Sequence, residues 1–181
     1  MQILTNINQS LISPDWLWWS IKDKTMTIFD DGDIPFEAST VDQAATAVVR
    51  SLLPEHYEAT RNRFVYVRSA VLTPNALLGY LKKYAGTEWK VEHRSIEEMS
   101  KDGQEIFHQE INNDQGPGKR FIDSLILMVS AALMGNGGVN QFGDKTKVWM
   151  DRLGMVEEDP DHIIREVVQK WQSGQLDSWS G

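Results

Sequence analysis

The order of strand-like and helix-like segments in the first 95 residues most strongly constrains the fold. Residues 25–29 alternate polar and apolar side chains, a turn-forming Asp30-Asp31-Gly32-Asp33 cluster follows, and residues 34–39 form a second extended segment. The run Phe64-Val65-Tyr66-Val67 is apolar at consecutive positions, which is typical of a strand covered on both faces in a parallel sheet. Residues 89–94 alternate again and predict a strand with one solvated face, near a sheet edge.

Three helices are predicted from capping signals, in which a Ser or Thr side chain precedes an apolar stripe at helical spacing. The signals are Thr40 with Gln43, Thr73 with Pro74, and Ser95 with Glu98. The first of these helices covers residues 41–53, the second ends before Gly86, and the third runs to about Ile111.

The second half of the chain contains only helix signals and loops. Phe121 to Met134 is apolar nearly all round, so we expect this helix to be buried against the rest of the fold or another subunit. Residues 112–118 and the glycine-rich stretch 135–143 are predicted loops. A short amphipathic segment at 148–153 and a last helix capped by Asp161 follow.

This order predicts an α/β fold with three or four strands and a helical C-terminal cap. Parallel strands with unpaired edges are costly to expose, so such a thin sheet is expected to need more strands than the chain supplies. We expect one domain over residues 1–181, with a sheet-contributing part at 1–95, a helical cap at 96–173 and a tail at 174–181.

Composition excludes several function classes. With 18 basic and 26 acidic residues the net charge is −8, which repels nucleic-acid phosphates and anionic membrane surfaces. No cysteine is present, so disulfides and thiolate metal sites are excluded. The first residues show no basic segment followed by an apolar run, so no signal peptide is predicted and a cytoplasmic location is expected. The apolar stretch at 125–134 is too short to span a bilayer.

Several motifs superficially similar to ligand sites are better explained as loops. Gly135 to Asn140 lacks the third glycine of a dinucleotide fingerprint and follows a helix instead of a strand. Gly138 to Thr146 comes within one residue of a phosphate loop, but Asp144 places a carboxylate against the phosphate. The aspartates at 30–33 lack the ligand spacing of a calcium loop, and the four histidines lack metal-ligand spacing, so no metal is expected. No catalytic or cofactor-binding residue is assigned.

Aromatic residues supply the candidates for substrate contact. Trp16, Trp18 and Trp19 cluster just before the first clear strand, where large flat rings either fill a core or line a pocket for an aromatic ligand. Core packing is the commoner role for any one of them. Phe142, in the glycine-rich loop, is the fourth candidate. We therefore name these four residues as predicted substrate-binding residues.

Three blocks of the sequence resemble the NmrA-like, isoflavone-reductase-like family of atypical short-chain dehydrogenase relatives. The blocks are Asp23 to Phe36, Arg63 to Val67 and Glu88 to His93. The resemblance implies the C-terminal, substrate-side part of a Rossmann-type fold, with the N-terminal dinucleotide-binding part absent from this chain. It also implies NADP or NAD as cofactor and a small aromatic or polyketide-like fungal metabolite as substrate. The family's glycine-rich loop and catalytic lysine would lie upstream of Met1, so no residue role is transferred.

Three hypotheses follow. The first is an NAD(P)H-dependent oxidoreductase of the NmrA-like type in fungal secondary metabolism. The second is a truncated, non-catalytic remnant or an interaction or regulatory module, which docks on a partner chain or a second copy through its exposed sheet edge or the Phe121 to Met134 helix. The third is a cofactor-free isomerase or cyclase that uses only the substrate pocket.

Overall fold

A computed structural model describes residues 18–113, 118–135 and 142–175, and within them the chain is an α/β protein. Five strands are present: β1 Trp19–Ser20, β2 Thr25–Phe29, β3 Phe36–Ala38, β4 Ala70–Leu72 and β5 Lys90–Arg94. Seven helices are described: α1 Val41–Ser51, α2 Pro54–Thr60, α3 Pro74–Ala85, α4 Ile96–Ile111, α5 Lys119–Met134, α6 Asp144–Arg152 and α7 Pro160–Gln172.

The strands form two small sheets in place of the single thin sheet that the sequence predicts. One sheet has the order β1-β2-β5, in which β1 pairs antiparallel with β2 and β2 pairs parallel with β5. The other is the antiparallel pair β3 and β4, with Phe36 opposite Leu72. β5 lies at an edge of its sheet, as predicted from its solvated face. The strand–turn–strand prediction for residues 25–39 is confirmed, although the two strands belong to different sheets.

The three capping signals are confirmed, because each is read from residues that lie within one helical turn. The hydroxyl oxygens of Thr40, Thr73 and Ser95 accept hydrogen bonds from the backbone N–H three residues ahead. Gly86, at φ +99°, follows the end of α3. The helix α2 was not predicted, although Pro54 at its first position is a recognisable signal for a helix start.

Two predictions fail in the rest of the chain. Phe64–Val67 is not a strand: it precedes β4, and Phe64 is 60% exposed while Val65 is buried. The last helix is capped by Asp159 instead of Asp161, because Pro160 occupies its first position and the Asp159 carboxylate accepts from the Asp161 N–H. The sequence pattern locates both segments. It does not determine whether residues 64–67 pair in a sheet, nor at which residue the last helix begins.

The buried residues form two hydrophobic clusters. The larger joins both sheets to α3, α7 and the buried sides of α4 and α5, with Ile28, Leu81 and Ile164 almost fully enclosed. The smaller lies between α1, residue Val65 and α6. α5 is buried on one side only, since Ile122 and Val129 on its outer side are 51% and 55% exposed. No helix in the described ranges is long and apolar enough to cross a membrane.

A polar cluster fastens α3 to the start of α7. The Asp161 carboxylate accepts hydrogen bonds from the Lys83 ammonium at 2.7 Å and from the Tyr84 hydroxyl at 2.5 Å. These hydrogen bonds lower the pKa of Asp161 and, with the negative charge of the carboxylate, raise the pKa of Lys83. The contacts stabilise the folded chain while Asp161 is ionised.

Two glycines should respond in opposite directions to replacement by alanine. Gly32 has φ +78°, and a Cβ there would lie 2.6 Å from Asn75 Oδ1 and 2.7 Å from Ile28 Cγ2. Gly79 is an exposed residue inside α3 with nothing within 4 Å of a new Cβ. We expect Gly32→Ala to lower the free energy of unfolding by about 1–2 kcal/mol or more, and Gly79→Ala to raise it by about 0.5–1 kcal/mol. Urea unfolding measures both, and equal effects would contradict the backbone geometry.

Asp161→Asn should destabilise the chain in a pH-dependent way. Because the folded-state pKa of Asp161 is lowered, its contribution is complete above the ordinary aspartate pKa of about 4 and is lost as the pH falls through the lowered value. We expect a lower Tm than wild type at pH 7 and a difference that closes as the pH falls through this lowered pKa. Tyr84→Phe, which removes one of the two donors, should give a smaller loss of the same sign. A difference that stays constant with pH would refute this account.

Candidate functional site

A groove of 740 Å³ lies at the carboxyl ends of the parallel strands β2 and β5, between the start of α4 and the second half of α5. In open α/β sheets, ligands bind outside the carboxyl ends of parallel strands, since the loops that leave those ends converge there. The apolar side of the groove is formed by Ile96, Met128, Ala131 and Ala132. Its polar side is formed by Asp30, Ser95, Glu97, Ser100, Lys101 and Gln104.

Asp30 ties the end of β2 to the start of α4. Its backbone N–H donates to the Arg94 carbonyl at 3.0 Å, which extends the β2–β5 pairing by one residue. Its Oδ1 accepts from the Ile96 N–H at 3.0 Å, while Ser95 Oγ accepts from Glu98 N–H. Within the described residues the second carboxylate oxygen, Oδ2, has no hydrogen-bond partner, so it is available to a ligand in the groove.

Gly103 sets how closely α4 and α5 approach beneath the groove. A Cβ at this position would lie 2.8 Å from Met128 Cγ and 3.1 Å from the Ser124 carbonyl oxygen. Such distances are below van der Waals contact, so only glycine permits this approach. Met128 therefore packs against the α4 backbone and supplies much of the apolar floor.

The groove suits a ligand that has both an apolar part and hydrogen-bonding groups. Its floor is aliphatic, while its rim offers hydroxyl, amide and carboxylate groups. Ser100 Oγ accepts a 3.3 Å hydrogen bond from Gln104 Nε2, which orients both side chains along the rim. Lys101 lies 4.0 Å from Glu105 in an exposed, loose ion pair and remains close to the groove. Hydroxyl or keto groups of a ligand would find donors and acceptors here.

The predicted aromatic residues lie outside this groove. Trp18 packs edge-on against Phe29 and Phe36 with ring centroids 5.6 Å apart in both cases, and Trp19 is 4% exposed within the larger hydrophobic cluster. Both tryptophans also line a separate hollow of 250 Å³ over the β1-β2-β5 sheet, with Lys90 and Glu92. Trp16 lies outside the described residues. A substrate role for these tryptophans stays a prediction.

Phe142 lies at a third place, at the start of α6. Its ring is 4.9 Å from that of Tyr66, and the Lys145 ammonium stands 5.8 Å from the Tyr66 ring centroid. The hollow lined by Trp18 and Trp19 does not include Phe142. The structure therefore brings two of the predicted residues together and separates the fourth from them.

The Glu37 carboxylate holds the start of α6 in place. Its Oε1 accepts from the backbone N–H groups of Phe142 at 3.1 Å and Gly143 at 2.8 Å, and its Oε2 accepts from the Thr146 hydroxyl at 2.7 Å. A carboxylate at a helix N-terminus compensates the unpaired N–H groups and the helix dipole. Here it reaches α6 from the distant strand β3.

Arg68 completes this buried cluster. Its guanidinium bonds Glu37 Oε1 at 2.8 Å and Glu157 Oε1 at 2.6 Å. Burial disfavours the charged guanidinium, but hydrogen bonds and charge from Glu157, together with the charge of Glu37, raise the pKa of Arg68 above its ordinary value. The side chain of Glu37 is only 8% exposed. Glu37, Arg68 and the half-exposed Glu157 therefore form a structural ion network that fixes the backbone at Phe142.

Sequence reasoning missed the residues of the groove because they come from three separate segments. The sequence pattern indicates a turn at Asp30 and a helix cap at Ser95. The one local signal was the position of Asp30 and Ser95 immediately after two predicted strands, since residues at that position meet at one sheet edge when the strands are parallel. Met128 and Ala131 belong to an apolar helix, and nothing else in the sequence marks them as residues that line a groove.

Two features of the described residues bear on metal and dinucleotide binding. They contain no group of three or more His, Asp or Glu side chains that could hold a metal ion. A dinucleotide phosphate needs glycine in a strand-to-helix turn, so that the backbone can approach it. The connections β3–α1, β4–α3 and β5–α4 in these ranges contain none, and Glu97 and Glu98 place acidic charge in the first turn of α4.

Comparison with known proteins gives a distant and partial similarity to fungal oxidoreductases. No protein-family model matches the chain. Oxidoreductase poxI of Penicillium oxalicum is 34% identical over 80 residues, which cover 44% of this chain and 25% of that protein. Oxidoreductase aprR of Aspergillus flavus is 30% identical over 87 residues, which cover 48% of this chain and 29% of that protein. The chain thus matches between a quarter and a third of the length of these relatives.

Glu37→Gln should strongly destabilise the chain. The substitution removes the charge that bonds Arg68, two backbone N–H groups and Thr146. We expect the free energy of unfolding to fall by about 3 kcal/mol, as for other broken buried ion pairs. Glu58→Gln is the matched control, because Glu58 forms only an exposed pair with Arg61 and should cost less than about 1 kcal/mol. If both variants unfold at the same urea concentration, Glu37 does not hold α6.

Proposed function

We propose that this chain is the substrate-binding part of an NAD(P)H-dependent oxidoreductase of the NmrA-like type. Its substrate would be a small aromatic or polyketide-like metabolite of a fungal biosynthetic pathway. The observation that carries the proposal is the similarity to the oxidoreductases poxI and aprR. The blocks Asp23 to Phe36, Arg63 to Val67 and Glu88 to His93 support the finer family assignment.

The groove at the end of β2 and β5 supplies the place for this substrate. An aromatic ring system would lie on Met128, Ala131 and Ala132, and its hydroxyl or keto oxygens would meet the polar rim. A volume of 740 Å³ lies within the range of small-molecule sites. Burial of the ring on the floor provides affinity, while the rim orients the ligand.

The dinucleotide would be held by residues outside the described ranges. The three strand-to-helix connections in those ranges contain no glycine, and α4 begins with acidic residues that repel a pyrophosphate. When bound, the nicotinamide would supply the hydride for reduction. The groove residues bind and orient the substrate, and none is assigned a proton-transfer role.

An interaction or regulatory module is the second candidate function. The outer side of α5 favours it, because Ile122 and Val129 are exposed and the half-buried Leu125 and Ile126 beside them are also apolar. Monomeric proteins rarely expose a contiguous apolar surface of this kind without a binding role. This side of the helix would serve a partner in either function.

Blocking the groove should weaken ligand binding without unfolding the chain. Ala132 lines the groove and is exposed, so Ala132→Trp fills the space above the floor without entering the hydrophobic cluster. With 1-naphthol as the aromatic probe, we expect saturable binding to the wild type in a calorimetric titration. Affinity should fall at least about tenfold in Ala132→Trp, because the ring loses its contact surface.

The matched control is Val156→Trp, which adds the same ring at a residue that is 78% exposed and outside the groove. Its naphthol affinity should equal that of the wild type. Absence of saturable naphthol binding, or equal affinity in all three proteins, would reject the groove as the substrate site.

A further inference from the structure

The start of α4, which lines the groove, is a place where the chain supplies its own anion. A helix N-terminus carries unpaired N–H groups and partial positive charge, so it attracts the carboxylate or phosphate groups of ligands. Here the Asp30 carboxylate accepts from the Ile96 N–H at 3.0 Å, and the Ser95 hydroxyl oxygen accepts from the Glu98 N–H at 3.3 Å. A ligand in the groove therefore meets a helix end at which side chains of the protein already occupy two of these donors.

Acidic side chains also dominate the charge of the groove. Asp30 and Glu97 line it, and Glu98 adds a second carboxylate to the first turn of α4. Lys101 is the cation among the described lining residues, and its ammonium lies 4.0 Å from the Glu105 carboxylate on the same helix. The groove belongs to a chain of net charge −8. A negatively charged ligand would thus enter a region of like charge, whereas an uncharged ligand would not be repelled.

The Asp30 carboxylate is held in position by both its backbone and its side chain. The backbone is left-handed at φ +49°, a conformation that aspartate and asparagine tolerate better than most residues. The Asp30 N–H donates to the Arg94 carbonyl at 3.0 Å, and Oδ1 accepts from the first residue of α4. A carboxylate can accept about four hydrogen bonds, so the bond to α4 leaves capacity for a donor on a ligand. Asp30 is thus a pre-positioned hydrogen-bond acceptor in the groove.

We infer that the groove selects aromatic ligands whose polar group is an uncharged hydrogen-bond donor, such as a phenol or alcohol hydroxyl, over the corresponding carboxylic acids. The hydroxyl would donate to Asp30, and the ring would lie on the aliphatic residues of α5. Asp30 is then the residue that determines specificity, and the charge of Glu97 strengthens the rejection of anions. This inference rests on the proposed function, because it assumes that the substrate binds in this groove.

A keto or ether oxygen does not satisfy the position opposite Asp30. Such oxygens only accept hydrogen bonds, and a carboxylate also only accepts. Two acceptors that face each other lose contact with water and gain no hydrogen bond in return. Further oxygens of the ligand can instead accept from the Ser100 hydroxyl, whose oxygen already accepts from Gln104 Nε2. The groove therefore distinguishes ligands by whether they carry a donor at the Asp30 position.

Three naphthalene probes test the inference by calorimetric titration of the chain at neutral pH. 1-Naphthol is uncharged and donates, 1-methoxynaphthalene keeps the ring but cannot donate, and 1-naphthoate carries a negative charge. We expect 1-naphthol to bind about three- to tenfold more tightly than 1-methoxynaphthalene, which is the effect of one net hydrogen bond. 1-Naphthoate should bind at least about fivefold more weakly than 1-naphthol, because like charges repel at the groove. Added salt should reduce this second difference.

Asp30→Asn removes the charge and keeps the local structure. The asparagine side chain retains an acceptor for the Ile96 N–H and tolerates the left-handed backbone, but its amide group can donate to a ligand. We expect the affinity for 1-naphthoate relative to 1-naphthol to rise at least about fivefold, and the advantage of 1-naphthol over 1-methoxynaphthalene to disappear. Asp31→Asn is the matched control, because Asp31 accepts from the Asp33 N–H and is not a lining residue of the groove. Its preferences should equal those of the wild type.

A second pair of variants keeps the test valid if Asp30→Asn lowers the Tm. Glu97→Gln changes an exposed lining residue and should weaken the rejection of 1-naphthoate. Glu88→Gln removes the same charge before the amino end of β5, away from the groove, and should leave the rejection unchanged.

The outcomes separate this inference from the proposed function. Equal binding of the three probes to the wild type overturns the inference, and so does a 1-naphthoate preference that neither Asp30→Asn nor Glu97→Gln alters. In both cases the groove remains the substrate site. Absence of saturable 1-naphthol binding rejects the groove itself, and with it the place that the proposed function gives to the substrate.

Discussion

The parallel pairing of β2 with β5 determines where every residue of the groove lies. The register runs from Thr25 opposite Lys90 to Phe29 opposite Arg94, so both strands end at the same level. A slip of one residue would exchange buried Met26 and Ile28 for threonines and would separate Asp30 from Ser95. Because α4 starts at that level and α5 packs back against it at Gly103, the groove is a consequence of the strand register.

The second dependence is electrostatic and connects β3 to the start of α6. Glu37 belongs to β3, yet its carboxylate organises α6, and Arg68 links it to Glu157. A buried charge is tolerated only when its hydrogen-bonding capacity is satisfied, so the network admits few alternative geometries. It thereby joins the smaller hydrophobic cluster to the β3–β4 sheet, where apolar packing alone would define orientation less sharply.

Local signals could be predicted from the sequence, and non-local ones could not. Thr40, Thr73 and Ser95 mark helix starts correctly, because a cap depends on residues within a single turn. Phe64–Val67 was assigned to a sheet from its composition, but a ladder depends on a partner that composition does not specify. The groove could not be predicted for the same reason: Asp30, Ser100 and Met128 are far apart in sequence and meet only through the β2–β5 register and the α4–α5 contact.

Large apolar side chains are exposed at two places among the described residues. The outer side of α5 exposes Ile122 and Val129, and the segment before β4 exposes Phe64. The chain as a whole carries 26 acidic and 18 basic residues, so it is strongly acidic. Net repulsion between identical acidic chains opposes association through either surface.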